Sequence, residues 1–276
     1  MAVLHHLTIG AFQVVLMQDQ APGLPVRGAF PDLTDAEVAL FETDPINASY
    51  TPAAVRLEDG WLLVDAGSGP NFADNSQIWQ AWDEAGIARE DVSHVFISHG
   101  HADHYGGLTD ADGTLILPNA RYHIHRDEWA HYTDEATIAM QKARHPDFET
   151  ALRTHFAAIR DHVNLVADGD EILPGITAVY APGHSVHHTA LLLESGGEAL
   201  IFSADAFMNE MHIAHPTWKA SVGHALNLEI QSRRKLSELA VRKGALLAGY
   251  HFTFPGLVTV TPDGQGGFNW QPISGG

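Results

Sequence analysis

Residues 92–104 read VSHVFISHGHADH. The first seven are mostly apolar and include three β-branched aliphatic residues, which predicts a buried strand over 92–98. Straight after it come His99, His101, Asp103 and His104, four metal-binding side chains within six residues. The strand end fixes the backbone, and Gly100 and Ala102 let the loop turn without bulk. His99 and His101 then point at one ion, and Asp103 and His104 at its neighbour. In a chain with 19 histidines a lone H-x-H decides nothing. Four ligands in H-x-H-x-D-H order behind a buried strand are a metal-site signal.

Composition sets the bounds around that signal. The 276-residue chain carries 15 basic and 34 acidic side chains, a formal charge of −19, and no cysteine. A surface this acidic repels polyanions and anionic membranes, so neither nucleic acid nor a membrane is an expected partner. Without thiolates, any metal must be bound by nitrogen and oxygen. The opening MAVLHHLTIGAFQVVLMQDQ lacks a basic segment followed by an apolar core, and no apolar run approaches the roughly 20 residues that cross a bilayer. The expectation is a soluble, cytoplasmic protein.

Strand and helix signals alternate in both halves. TPAAVRLEDGWLLVDAGSG (51–69) predicts a hairpin turning at Asp59-Gly60. Ile78, Trp79, Trp82 and Ala85 recur at helical spacing up to Gly86. A further helix is expected to begin near Gly106-Gly107, and residues 127–165 read as mainly helical. In the second half GITAVYAPG (175–183), TALLLESG (189–196) and EALIFSAD (198–205) read as strands. Leu228–Lys243 reads as an amphipathic helix and ALLAG (245–249) as a last buried strand. This alternation predicts one α/β layered domain over 1–276, built from two similar halves, about 1–130 and 165–276.

His184 follows the strand ending in Ala181-Pro182-Gly183, Asp205 closes ALIFSAD, and His251 follows ALLAG and Tyr250. These place further ligands at strand ends, where open α/β sheets collect their binding sites. The set His99, His101, Asp103, His104, His184, Asp205 and His251, with Val64-Asp65-Ala66-Gly67 upstream, resembles the metallo-β-lactamase superfamily. The resemblance spans about residues 8–272 and implies a four-layer αββα sandwich with a metal pair at one edge. It further implies that His99, His101 and His184 bind one ion, that Asp103, His104 and His251 bind the other, and that Asp205 bridges them. Asp65 falls on a supporting position behind the ligands, as does His188. Glu is absent from the His101 position and no flavin domain or nucleic-acid clamp is present, which sets aside the oxygen-reducing and RNA-processing branches. The resemblance is nearest to the N-acyl-homoserine lactonase and methyl parathion hydrolase group, carried also by LPNARYHIHRDEW (117–129) and the ending GYHFTFPGLVTVTPDGQGGFNWQPI (249–273). Ser98 for the usual threonine, His187 for a common glycine, and Tyr250 before the last ligand are departures.

The expected chemistry is a dinuclear, metal-dependent hydrolysis of lactone or ester bonds in small, partly apolar molecules, of the quorum-quenching kind. Zinc is the default pair, with manganese, cobalt or iron compatible with these ligands. Asp103 is the candidate to steer the nucleophile and carry a proton to the leaving group. Aryl phosphotriester hydrolysis on the same site, or metal binding without catalysis, are the alternatives. Phe207, Met208, Trp218 and Tyr250 are candidate pocket residues. His123 and His125 alternate along a strand and need no function, and His212, His215 and His224 read as surface residues. A homodimer is implied by the resemblance alone.

Overall fold

The computed structural model describes residues 2–144 and 155–273. One sheet contains β1 (Val3–Ile9), β2 (Phe12–Gln18), β5 (Ala53–Leu57), β6 (Gly60–Val64), β7 (Val92–Phe96), β8 (Arg121–His125) and β9 (Val163–Val166), in that spatial order. The other contains β10 (Glu171–Leu173), β11 (Ile176–Tyr180), β12 (Thr189–Ser195), β13 (Glu198–Ala204), β14 (Leu246–Gly249), β15 (Leu257–Pro262) and β16 (Phe268–Pro272). A separate short ribbon pairs β3 (Gly23–Leu24) with β4 (Ile46–Asn47). Strands β6 to β9 are mutually parallel, and β13 is parallel to β14.

Side-chain alternation explains why the sheets stack. Successive residues of a strand face opposite sides, and here both sides are apolar. Val55, Leu62, Val64, Phe96, Leu191, Leu193, Leu200 and Phe202 form the layer between the sheets. Their neighbours Ala54, Trp61, Leu63 and Val95 face outward against the helix Ile78–Glu84. On the other sheet Ala190, Leu192, Ile201 and Leu247 face the helix Leu226–Lys243. The result is the four-layer αββα sandwich of the metallo-β-lactamase fold. Among the described residues no helix is long and apolar enough to cross a membrane.

Three local readings shift. The hairpin loop is Glu58-Asp59, because Leu57 pairs with Gly60. The helix after β7 is Ala102–Tyr105 and gives way to a 3-10 turn at Gly106–Leu108, so it starts four residues ahead of the expected glycines. Those glycines serve close approach instead. A Cβ on Gly106 would lie 1.8 Å from the Ser68 carbonyl oxygen, and one on Gly107 would lie 2.1 Å from that of Ala66. Across 127–165, helices Arg126–Thr133 and Glu135–Arg144 are present, while β9 begins at Val163; residues 145–154 lie outside the described residues.

Phe96 is fully buried between the sheets, so Phe96→Ala should cost about 3–5 kcal/mol of unfolding free energy by denaturant titration. His155 is buried beside Thr109, whose Oγ1 lies 2.8 Å from Nδ1, and burial pushes its imidazole down to about 4. The unfolded chain therefore binds a proton near pH 6.5 that the folded chain refuses until about pH 4. Stability from this group is complete above pH 6.5 and falls with acid between those values, by about 1.4 kcal/mol per pH unit. His155→Gln should remove that share of the acid slope in urea melts between pH 6.5 and 4.

Candidate metal centre

The carboxyl ends of β7, β13 and β14 meet at one edge of the sandwich. His99, His101, Asp103 and His104 follow β7, Asp205 follows β13, and His251 follows β14; His184 lies between β11 and β12. The structure brings all seven together. One donor atom each from His99, His101, His184 and Asp205 lies within 4.8 Å of the others, and the same holds for Asp103, His104, Asp205 and His251. Asp205 is common to both groups. Its Oδ2 is 3.1 Å from His184 Nε2 and 3.2 Å from His251 Nε2, and its Oδ1 is 3.2 Å from His104 Nε2. Asp103 Oδ2 stands 3.6 Å from His104 Nε2 and 3.5 Å from His251 Nε2.

Outer partners set which nitrogen faces inward. His104 Nδ1–H donates to Asp65 Oδ2 at 2.7 Å, and His99 Nδ1–H donates to Ser98 Oγ at 3.0 Å. His251 Nδ1–H donates to the Ser49 carbonyl at 3.2 Å. Each bond leaves Nε2 facing Asp205, where it can take an ion. Asp65 also accepts from the Ser98 amide and hydroxyl, both at 2.8 Å. His188 donates from Nδ1 to the Ala181 carbonyl at 3.1 Å and accepts the Asp205 amide on Nε2 at 3.1 Å. That double role needs a neutral ring, and burial followed by the neighbouring His184 pushes it down to about 3.

Electrostatics follow the same geometry. Burial alone would raise the Asp205 carboxyl, but His251, His104 and His184 hold it well below the usual range. Burial, and then the other histidines, push His99 and His101 well down. His99 Nε2, His104 Nε2 and Asp205 Oδ1 are buried without a hydrogen-bond partner. Unpartnered polar atoms of this kind are costly, and here they converge. Burial would lower His104 and His251 as well, but Asp205, and then Asp103, hold both above the ordinary value. Five imidazoles and two carboxylates arranged in this way fit a pair of divalent cations that share one carboxylate and displace those protons.

Residues 53–251 match the metallo-beta-lactamase superfamily. The chain belongs to that superfamily. An N-acyl homoserine lactonase of Bacillus cereus is 24% identical over 243 residues, covering 74% of this chain and 85% of that protein. AidC, a dizinc quorum-quenching lactonase solved with a product, is similar with a TM-score of 0.87 at 24% identity, over 99% of this chain and 98% of that one. The hydrolase AbOPH of the beta lactamase superfamily is similar with a TM-score of 0.88 at 20% identity, over the same shares.

In this superfamily member the site opens into a cavity of about 490 Å3. His101, Asp103, His184, Asp205 and His251 border it on one side, and Ile46, Ala48, Tyr50, Phe72, Met208 and Val222 are among the residues on the others. Of the four candidate pocket residues only Met208 borders the cavity. Phe207 is packed in the core under Leu236 and Phe252. Trp218 lies in the layer behind the wall, stacked on Phe41, with its indole N–H donating to Glu37. The Tyr250 ring lies 4.0 Å from that of His104, and its hydroxyl donates to the Asp103 carbonyl at 2.5 Å. All three support the site from behind because they are spent on packing. His212 is likewise no surface residue: fully buried, it accepts from the Met208 amide and donates to the Trp218 carbonyl.

Glu128 was not legible as a site residue. Its buried carboxylate accepts the Gly100 amide and the His187 amide, each at 2.9 Å, and so ties the loop of His99 and His101 to the loop of His184. Its place in LPNARYHIHRDEW was visible, but its burial was not. Tyr50, edge-on to His251 at 4.8 Å, carried no sequence signal either.

Asp65 sits at φ +59°, a left-handed backbone that asparagine tolerates best after glycine. Asp65→Asn should therefore fold. The Ser98 amide keeps the asparagine oxygen in the place of Oδ1, so its NH2 faces His104 Nδ1 and cannot accept from it; the His104 proton moves to Nε2, where it blocks ligation. Metal affinity should fall about 10–100-fold by competition with a chromogenic chelator, while the melting temperature of the metal-free protein changes little.

Proposed function

We propose that this metal-dependent hydrolase opens the ester bond of small lactones bearing an apolar chain, with zinc as the resident pair. The observation that carries the reading is the convergence of two ligand groups, joined through Asp205, at one side of a cavity that also has an apolar wall. The relatives support it: both the Bacillus cereus protein and AidC are lactonases. A pair of divalent ions held there lowers the pKa of water to about 7 and polarises a carbonyl oxygen.

The chain's own residues do the rest. His99, His101 and His184 would hold one ion and Asp103, His104 and His251 the other, with Asp205 common to the two groups. Asp103 and His101 are the two ligands that are only partly buried, and Asp103 borders the cavity. Its carboxylate takes the proton released as water attacks the carbonyl carbon. It then returns that proton to the ring oxygen as the C–O bond breaks, giving the hydroxy acid. Tyr250 keeps the Asp103 backbone in place throughout. The apolar wall of Ile46, Ala48, Phe72 and Met208 takes the substrate's chain and excludes water beside the reacting bond.

The test compares metal-free and zinc-restored protein on an acyl-homoserine lactone, an aryl ester and an aryl phosphotriester. The lactone should show the highest kcat/KM, abolished by chelation and recovered with zinc. Asp103→Asn at saturating zinc should lower kcat by about 10²–10⁴-fold. A higher kcat/KM on the phosphotriester, or two bound ions without turnover of any substrate, would overturn the reading.

A further inference from the structure

Outside the main centre a second convergence of ligands is present. His125 ends β8, Asp127 lies in the first turn of the helix Arg126–Thr133, and His187 lies in the loop between β11 and β12. One donor atom from each falls within 4.8 Å of the others, and none of the three belongs to the two groups around Asp205. We propose that His125, Asp127 and His187 form a third cation site, selective for a zinc-class divalent ion.

The ligand chemistry is that of imidazole and carboxylate, which favours zinc, nickel or copper over calcium or magnesium. His187 is oriented by a hydrogen bond, as ligating histidines usually are, and His125 by stacking. The Tyr180 hydroxyl lies 2.9 Å from His187 Nδ1, and the Tyr180 ring stacks on His125 at 4.8 Å between centroids. The two imidazoles lie 5.8 Å apart with planes only 8° from parallel. The Asp127 amide donates to His125 Nδ1 at 3.3 Å, which joins the ring to the helix start. Burial is the main cause that pushes both histidines below their ordinary value, so both rings are neutral at neutral pH, and an ion on His125 takes the place of its long amide contact. The Asp127 side chain is 57% exposed and has no lysine or arginine within ion-pair distance among the described residues. An ion therefore reaches the site directly from solvent.

The position gives such an ion a consequence. Glu128, adjacent to Asp127, already bonds the His187 amide and the Gly100 amide. A cation between Asp127 and His187 adds a second tie between this helix and the loop that carries His184. It acts as a positioning device for that loop, at a distance from the reacting atoms.

The test uses the full chain loaded with two zinc ions, dialysed against rising free zinc and analysed for metal per chain. The wild type should take up one further ion. Asp127→Asn and His187→Ala should each weaken that uptake by about tenfold or more, with the first two ions and the far-ultraviolet spectrum retained. In the loaded protein the third equivalent should raise the melting temperature of the wild type and leave that of Asp127→Asn unchanged. Uptake stopping at two ions up to millimolar zinc would overturn the proposal, as would a third ion held equally by both variants. Should the main pair itself be missing, a single ion lost on Asp127→Asn would still support this site, so the two readings fail separately.

Discussion

Five imidazoles can hold a pair of cations in a small buried space only if each turns a lone pair inward and its proton outward. Everything else near the edge of this sandwich serves that requirement. Asp65, Ser98 and the Ser49 carbonyl take the outward protons of His104, His99 and His251. His188 secures Asp205 through its backbone amide. Each outward acceptor belongs to a different stretch of chain, so the inward geometry forms only when both sheets are packed. The site is thus a product of the whole fold, and its unpartnered atoms are the cost of a centre built to receive cations.

The backbone shows the same tension. Asp65 and Ala204 adopt φ values of +59° and +41°, uncommon for residues with a side chain. One ends β6, beside its parallel partner β7; the other ends β13, beside its parallel partner β14. Such strain costs on the order of 1–3 kcal/mol per residue and persists where the surroundings over-determine it. At Asp65 the surroundings are the Phe96 carbonyl, which accepts the Asp65 amide at 2.8 Å, and the carboxylate's own three donors. At Ala204 the turn delivers Asp205 into the centre. The two sheets place their strained corners at corresponding ends of corresponding strand pairs.

The cavity wall comes from other material. Ile46 and Ala48 belong to the N-terminal region, Phe72 to the short helix after β6, and Met208 and Val222 to the segment between β13 and the helix Leu226–Lys243. Apart from Asp205 at the start of that last segment, these elements carry none of the metal ligands. The floor sets the kind of bond that can be attacked, while the wall sets which molecules reach it, and the two can vary independently.

Much of this was legible in the chain itself. The order H-x-H-x-D-H behind VSHVFIS, and single ligands at the ends of three later strands, identify the donors, because ligation demands particular side chains at strand ends. Continuous apolar runs such as ALLLES and ALIFSA mark strands buried on both faces, and hence a layered sandwich. Direction was not legible. Phe207, Trp218 and Tyr250 follow ligands or strands as pocket residues would, yet the turn geometry after Asp205 and Gly249 points them into packing. Glu128, Tyr50 and His212 gained their roles from distant neighbours. The sequence alone determined which side chains could serve as donors and which strands carry them, since those are local properties of residue type and period. Only the tertiary structure decided which nitrogen faces inward, what lines the cavity and which other histidines meet, because those depend on residues far apart in the chain coming within a few ångströms.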